Sequence, residues 1–155
     1  MSEQSTAKAA LAQANFDTGL NCAQSVLLAF SADYGLTDEK AKRLSSVFGA
    51  GMGRLQETCG AVTGAFMALG LAKGFSDPSD AATRDRLLAE TKALAAAFKA
   101  EFGSLSCRDL LGCDLNTPEG QTYHKEKNQR ADPCGRCVRF TAAHLEKTLA
   151  KPTVN

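Results

Sequence analysis

The chain contains no Trp and no Ile, and only 6% of its 155 residues are aromatic. A core must therefore be assembled mainly from Ala, Leu and Phe. Strand-forming β-branched residues are scarce and no alternating apolar/polar pattern persists, which argues against a β-sheet. No apolar run approaches the ~20 residues needed to cross a bilayer. Charge of one sign is missing too: 18 basic and 17 acidic residues leave a net charge of +1. Without a basic block there is no electrostatic footprint for nucleic acid or for a membrane surface. Residues Met1 to Phe16 are polar and Ala-rich with no apolar core, unlike a secretory signal. These absences predict one cytoplasmic, all-helical domain over residues 1–155.

Helical punctuation divides that domain into about six helices. Ser5 or Thr6 starts an N-terminal helix within residues 1–18, and Gly19 follows it. Asn21 caps a second helix, with Val26, Leu27 and Phe30 inward and Gly35 as its left-handed stop. Thr37 caps a third, whose Leu44, Val47 and Phe48 are expected to face the core. A glycine loop at Gly49, Gly51 and Gly53 leads to Thr58, the expected cap of a fourth helix that ends at Gly74. Asp77 and Ser79, flanking Pro78, open the longest helix, which carries an inward stripe of Leu87, Thr91, Leu94, Phe98 and Phe102. Ser106 caps a short turn. Residues 113–132 read as a long polar loop, and Asp132 followed by Pro133 starts a last helix over residues 133–150.

Against this ordinary background stand six cysteines. In a reducing compartment they point to metal binding or redox chemistry rather than to permanent disulfides. Four sit directly after a capping residue or one position beyond: Asn21-Cys22, Thr58-Cys59, Ser106-Cys107 and Asp132-Pro133-Cys134. Helix starts offer free N–H groups and a positive dipole end, and so favour thiolates, an iron–sulfur cluster or another anion. Gly60 and Gly64, four apart, form a small-residue face that lets a helix or a cofactor approach the backbone closely, and that could also serve a homodimer. Cys134 and Cys137 make the one CxxC, which can cycle as a disulfide or clamp a metal. With Cys107 and Cys113 it gives a Cys-x5-Cys-x20-Cys-x2-Cys spacing compatible with four thiolates on zinc or iron. His124 and His144 read as solvated or satisfied side chains. Gly49, Gly51 and Gly53 lack the preceding strand and the GK[ST] of a nucleotide loop.

The Asn21-Cys22-Ala23-Gln24 opening, the Gly49 to Gly53 loop, the Cys59-Gly60-Ala61-Val62-Thr63-Gly64 segment with Gly70, and Phe102-Gly103 ahead of Cys107-Arg108 resemble the C_GCAxxG_C_C family of redox-active proteins. The label of that family places Gly before Cys, whereas this chain reads Cys-Gly-Ala. The resemblance implies functional roles for Cys22, Cys59, Cys107 and a C-terminal cysteine, for which Cys134 and Cys137 compete. It implies electron transfer or thiol redox, by an oxidoreductase or an electron carrier.

Two chemistries follow for these residues. In one, the cysteines ligate an iron–sulfur cluster; in the other, Cys59 attacks as a thiolate and a second cysteine resolves the mixed disulfide, with a redox protein or small thiol as partner. A metal-binding module holding zinc or copper without redox turnover is the alternative.

Overall fold

A computed structural model describes residues 6–151 of the chain. Among the described residues, eight α-helices run in the order α1 (Ala7–Asp17), α2 (Cys22–Ser31), α3 (Asp38–Ser45), α4 (Gly60–Lys73), α5 (Ala81–Phe102), α6 (Cys107–Leu111), α7 (Pro118–Glu126) and α8 (Arg136–Ala150). A 3-10 turn, Ala32–Tyr34, extends α2, and a π turn, Arg130–Gly135, leads into α8. No strand occurs among the described residues; one isolated antiparallel bridge joins Thr58 to Ser106.

Small side chains set the packing. Ala12, Ala23, Ala61, Ala65, Ala68 and Ala142 are fully buried, so helices that lack bulky branched residues approach each other closely. The tightest crossing is α2 on α4. A Cβ on Gly64 would stand 2.7 Å from the Ala23 carbonyl oxygen, and one on Gly60 3.0 Å from that of Phe48. The Gly60/Gly64 face is thus covered within the chain by α2. Phe16, Leu27, Phe30, Leu69, Leu94 and Val138 fill the space that remains, joining α1, α2, α4, α5 and α8 in one core. Phe98, Phe102 and Phe140 clasp α5 to α8, with ring centroids 4.6 to 6.2 Å apart.

Several helix starts are as expected. Thr6 accepts from the Ala9 amide, Thr37 from Lys40 and Ser106 from Asp109. Ser5 lies outside the described residues. Asn21 and Gln24 form a reciprocal capping box at 2.9 and 3.1 Å. Gly35 adopts the left-handed conformation that ends the α2 extension. The stripe on α5 also holds, with Leu94 and Phe98 buried.

Other expectations require correction. The count is eight helices rather than about six, because the segment expected as a 113–132 loop contains α7. Thr117 caps it and Pro118 stands in its first turn. Gly120, which reads as a loop residue, is needed inside this helix because a Cβ there would sit 1.7 Å from the Asp114 carbonyl oxygen. The start of α5 is capped by Asp80, while Asp77 accepts from the Ser79 amide and hydroxyl. Leu44 and Val47 are 55% and 65% exposed; α3 buries Ala41 and Ser45 instead. Thr58 is not a helix cap, because its backbone is committed to the bridge with Ser106, and Cys59 becomes the residue before α4. Asp132 is extended (φ −146°, ψ 118°) and pairs with Arg136 at 3.3 Å rather than capping, so α8 begins at Arg136.

Candidate thiol centre

Four chain segments deliver cysteines to one cavity. The Asn21 capping box sets Cys22 at the first position of α2. Asn21 also donates to the Ser46 carbonyl at 3.0 Å, tying that helix start to the turn ahead of Gly49. From there the backbone is left-handed at Ala50, Gly51, Met52, Gly53 and Arg54, with φ between 53° and 66°. This rare run turns the chain inward, and Gly51 fits only without a side chain: a Cβ would lie 2.5 Å from the Glu57 nitrogen.

The turned segment then pairs with the chain before α6. The Cys59 amide donates to the Leu105 carbonyl at 2.8 Å, the Cys107 amide to Glu57 at 2.6 Å and the Arg108 amide to Gln56 at 3.1 Å. These bonds fix Cys59 and Cys107 on adjacent segments. The π turn brings the third region: the Cys134 amide donates to the Gln129 carbonyl at 3.0 Å, five residues back. Cys137 follows in the first turn of α8.

The resulting cavity has a volume of about 150 Å³ and is lined by Cys22, Cys59, Cys107, Cys134 and Cys137. Phe16, Leu110, Leu111 and Leu115 supply apolar wall, Gly60 a bare stretch of backbone, and His124 and Arg130 polar atoms. Gly64 does not line it, being packed on Ala23. Cys113 stands outside the lining, in the small satellite core of Cys107, Leu111 and Leu115, where its thiol donates to Gln129 Oε1 at 3.5 Å. Cys134 packs against both that satellite and the main core. All six cysteines carry free thiols.

The thiols differ sharply in acidity. A hydrogen bond from Cys137 lowers the Cys59 pKa, and the Ala61 and Val62 amides at the start of α4 lower it further, against the opposing effect of burial. Cys137 is driven the other way, because it is the donor to Cys59 and is buried beside the negative charge that Cys59 bears. Cys22 is held well above the ordinary thiol range by its hydrogen bond with Cys134, then by burial and the neighbouring sulfurs. Burial, with the charges of Cys59, Cys134 and Cys113, pushes Cys107 up to about 12. A helix start alone therefore does not make a thiolate: Cys22 and Cys107 occupy first positions and are raised. Cys59 differs in having a thiol donor and free amides directed to its sulfur.

Two glutamines were not singled out by pattern, yet they hold the walls in place. Gln56 is 4% exposed; its amide donates to the Cys113 carbonyl at 2.9 Å and its oxygen accepts from the Leu115 amide at 2.8 Å. Gln129 is 7% exposed and donates to the Leu111 carbonyl at 2.7 Å. His124 is placed in the cavity wall by α7 and bonds to Gln129 at 3.1 Å. The signal that could have found it was the Thr117-Pro118 start of α7. His144 stacks on Phe140 outside the cavity. Arg130 stacks on Phe16, 3.8 Å from the ring centroid, and donates to the carbonyls of Phe16 and Leu20.

As for metals, thiol donors suit soft ions and iron–sulfur clusters. Among the described residues, no group of three or more His, Cys, Asp or Glu side chains is spaced to hold an ion. No helix among them is long and apolar enough to cross a membrane.

Residues 20–148 match the family described as "Putative redox-active protein (C_GCAxxG_C_C)", and the chain belongs to this family. Comparison with curated proteins and with solved structures finds no match.

Proposed function

We propose that this member of the C_GCAxxG_C_C family is a thiol–disulfide redox protein whose exchanging pair is Cys59 and Cys137. The observation that carries the reading is that Cys59 and Cys137 line one cavity and pack in one core, where their interaction lowers the Cys59 pKa and raises that of Cys137. A thiolate in contact with a second thiol is the arrangement that forms and then resolves a mixed disulfide. The Cys59 thiolate attacks a disulfide R–S–S–R, forming Cys59–S–S–R and releasing R–S⁻. Cys137 loses its proton and attacks the Cys59 sulfur, closing a Cys59–Cys137 disulfide and releasing the second R–S⁻, while its proton leaves one product as R–SH. Two electrons pass from the protein dithiol to the external disulfide.

Access runs through the cavity, since Cys59 and Cys137 are only 6% and 1% exposed. A small disulfide or the exposed disulfide of a partner protein is the matching oxidant. Cys22 and Cys134, half-buried on the same cavity, are the thiols through which a bulkier partner would exchange.

The test is titration of the reduced protein in redox buffers, followed by mapping of the disulfides by mass spectrometry. A Cys59–Cys137 disulfide forming and breaking at a defined potential supports the reading; unchanged thiol counts across the range sink it. A second reading, iron–sulfur binding, is favoured by five thiols from four segments lining one cavity. Cys22, Cys59, Cys107 and either Cys134 or Cys137 would be the ligands, and the group would supply one-electron transfer. The same thiols would be the donors for zinc or copper, but as placed no three of them are spaced to hold an ion. Protein purified without oxygen that is colourless and free of iron rules the cluster out.

A further inference from the structure

The lining of the thiol cavity contains no Asp or Glu, and His124 is its one conventional base. The tautomer of that ring follows from the hydrogen bonds behind it. The Gln129 side chain donates through Nε2 to the Leu111 carbonyl at 2.7 Å. Its amide orientation is therefore settled, because the flipped form would set its oxygen against a carbonyl oxygen. The Oε1 atom is left to face His124 Nδ1 at 3.1 Å and the Cys113 thiol at 3.5 Å. An amide oxygen only accepts, so Nδ1 must carry a hydrogen. In the neutral ring the lone pair then lies on Nε2.

Resting on the disulfide-exchange reading, we propose that His124 Nε2 is the proton acceptor and donor for thiols reacting in this cavity, and that Gln129 is the positioning residue that holds its tautomer. Such a group speeds exchange by raising the fraction of reacting thiolate. Cys137 must surrender a proton before it can attack the Cys59 sulfur, and the departing R–S⁻ leaves an apolar wall more readily as R–SH. His124 takes the proton from Cys137 as the Cys59–Cys137 bond forms and returns it to R–S⁻. Atoms and charge balance: one thiolate, one thiol and R–S–S–R give the protein disulfide, R–SH and R–S⁻. Arg130 is the charged side chain that shares this wall.

The variant that isolates this role is His124→Asn, whose amide N–H replaces Nδ1–H toward Gln129 while the second ring nitrogen disappears. The readout is the single-turnover rate at which reduced protein is oxidised by 2-hydroxyethyl disulfide, with the equilibrium potential measured alongside. The expected result is a rate about 100-fold lower, partly restored by added imidazole, at an unchanged potential. An unchanged rate with normal exchange in the wild type overturns the role of His124 alone. No exchange even in the wild type overturns the disulfide reading and this proposal together. Should the variant fail to fold, ¹⁵N-detected NMR of the wild-type ring decides: Nδ1–H is expected, and Nε2–H overturns the assignment.

Discussion

Thr58 and Ser106 face each other across an antiparallel backbone bridge, and each is followed at once by a cysteine of the cavity. Bonds on either side of the bridge, from Cys59 to Leu105 and from Cys107 to Glu57, lock the two segments in register. A slip of one residue would turn both cysteines away from their partners. The geometry of the thiols is thus built into the main chain, and side-chain changes at the site can be read as chemistry rather than as collapse.

If Cys59 attacks and Cys137 resolves, the two substitutions differ in kind. Cys59→Ser should abolish oxidation of the pair. Cys137→Ser should instead accumulate a stable Cys59 mixed disulfide with a small disulfide, detected as an added mass on intact protein. Equal behaviour of both variants would contradict the assigned order.

The acidity of the thiols sets a dependence of stability on pH. An unfolded Cys107 ionises near the ordinary 9.0, whereas the folded thiol holds its proton up to about 12. Between these values the unfolded state binds fewer protons, so stability falls as pH rises, by about 1.4 kcal/mol for each pH unit. Below 9.0 both states are protonated and this contribution is flat. Cys22 and Cys137, also raised, act in the same direction. Urea unfolding at about pH 8 and about pH 10 should show the loss, and Cys107→Ala should lessen it.

For Cys59 the sign reverses. Its lowered pKa keeps the thiolate at pH values where ordinary thiols are protonated. Alkylation by iodoacetamide, mapped by peptide, should therefore persist at Cys59 as pH is lowered while labelling of Cys22 and Cys107 fades. Cys137→Ala removes the thiol donor and should shift the Cys59 profile to higher pH.

Two glycines of α4 should respond oppositely to alanine. At Gly64 the new methyl would stand 2.7 Å from the Ala23 carbonyl oxygen, prising α2 from α4, at a cost of about 1–3 kcal/mol. At Gly70 nothing lies within 4 Å, and the gain in helix propensity should stabilise by about 0.5–1 kcal/mol. Thermal or urea unfolding checks both.

The left-handed run before Gln56 carries strain at its non-glycine positions. Arg54, exposed and at φ 62°, is the simplest to relieve. Arg54→Gly should raise stability by about 1 kcal/mol, because the Asn116 side chain bonds to its carbonyl and not to its side chain. A loss of stability would mean that the turn does not hold in solution.

Legibility differed with the range of the interactions. Asn21, Thr37 and Ser106 were readable as caps because a cap is decided within four residues. Thr58 and Asp132 carry the same local signal, but a strand-like bridge and an ion pair to Arg136 outcompete it. Leu44 and Val47 resemble core residues until α3 is seen to turn its small Ala41 and Ser45 inward. Gly120 looked like a loop because the close approach of the Asp114 carbonyl that demands it cannot be seen locally.

By itself the sequence determined the helical class, most of the helix starts and the presence of cysteines beside them, because composition, capping and periodicity act over one or two turns. Only the tertiary structure decided which sulfurs share a cavity, Cys22, Cys59, Cys107, Cys134 and Cys137 without Cys113, and that His124 joins them. Those relations depend on the left-handed turn, the Thr58–Ser106 bridge and the π turn, which bring together residues separated by as much as 115 positions in the chain, Cys22 to Cys137. The acidity of each thiol depends in turn on those neighbours, since burial and a hydrogen-bond donor act on a sulfur only once the chain has folded around it.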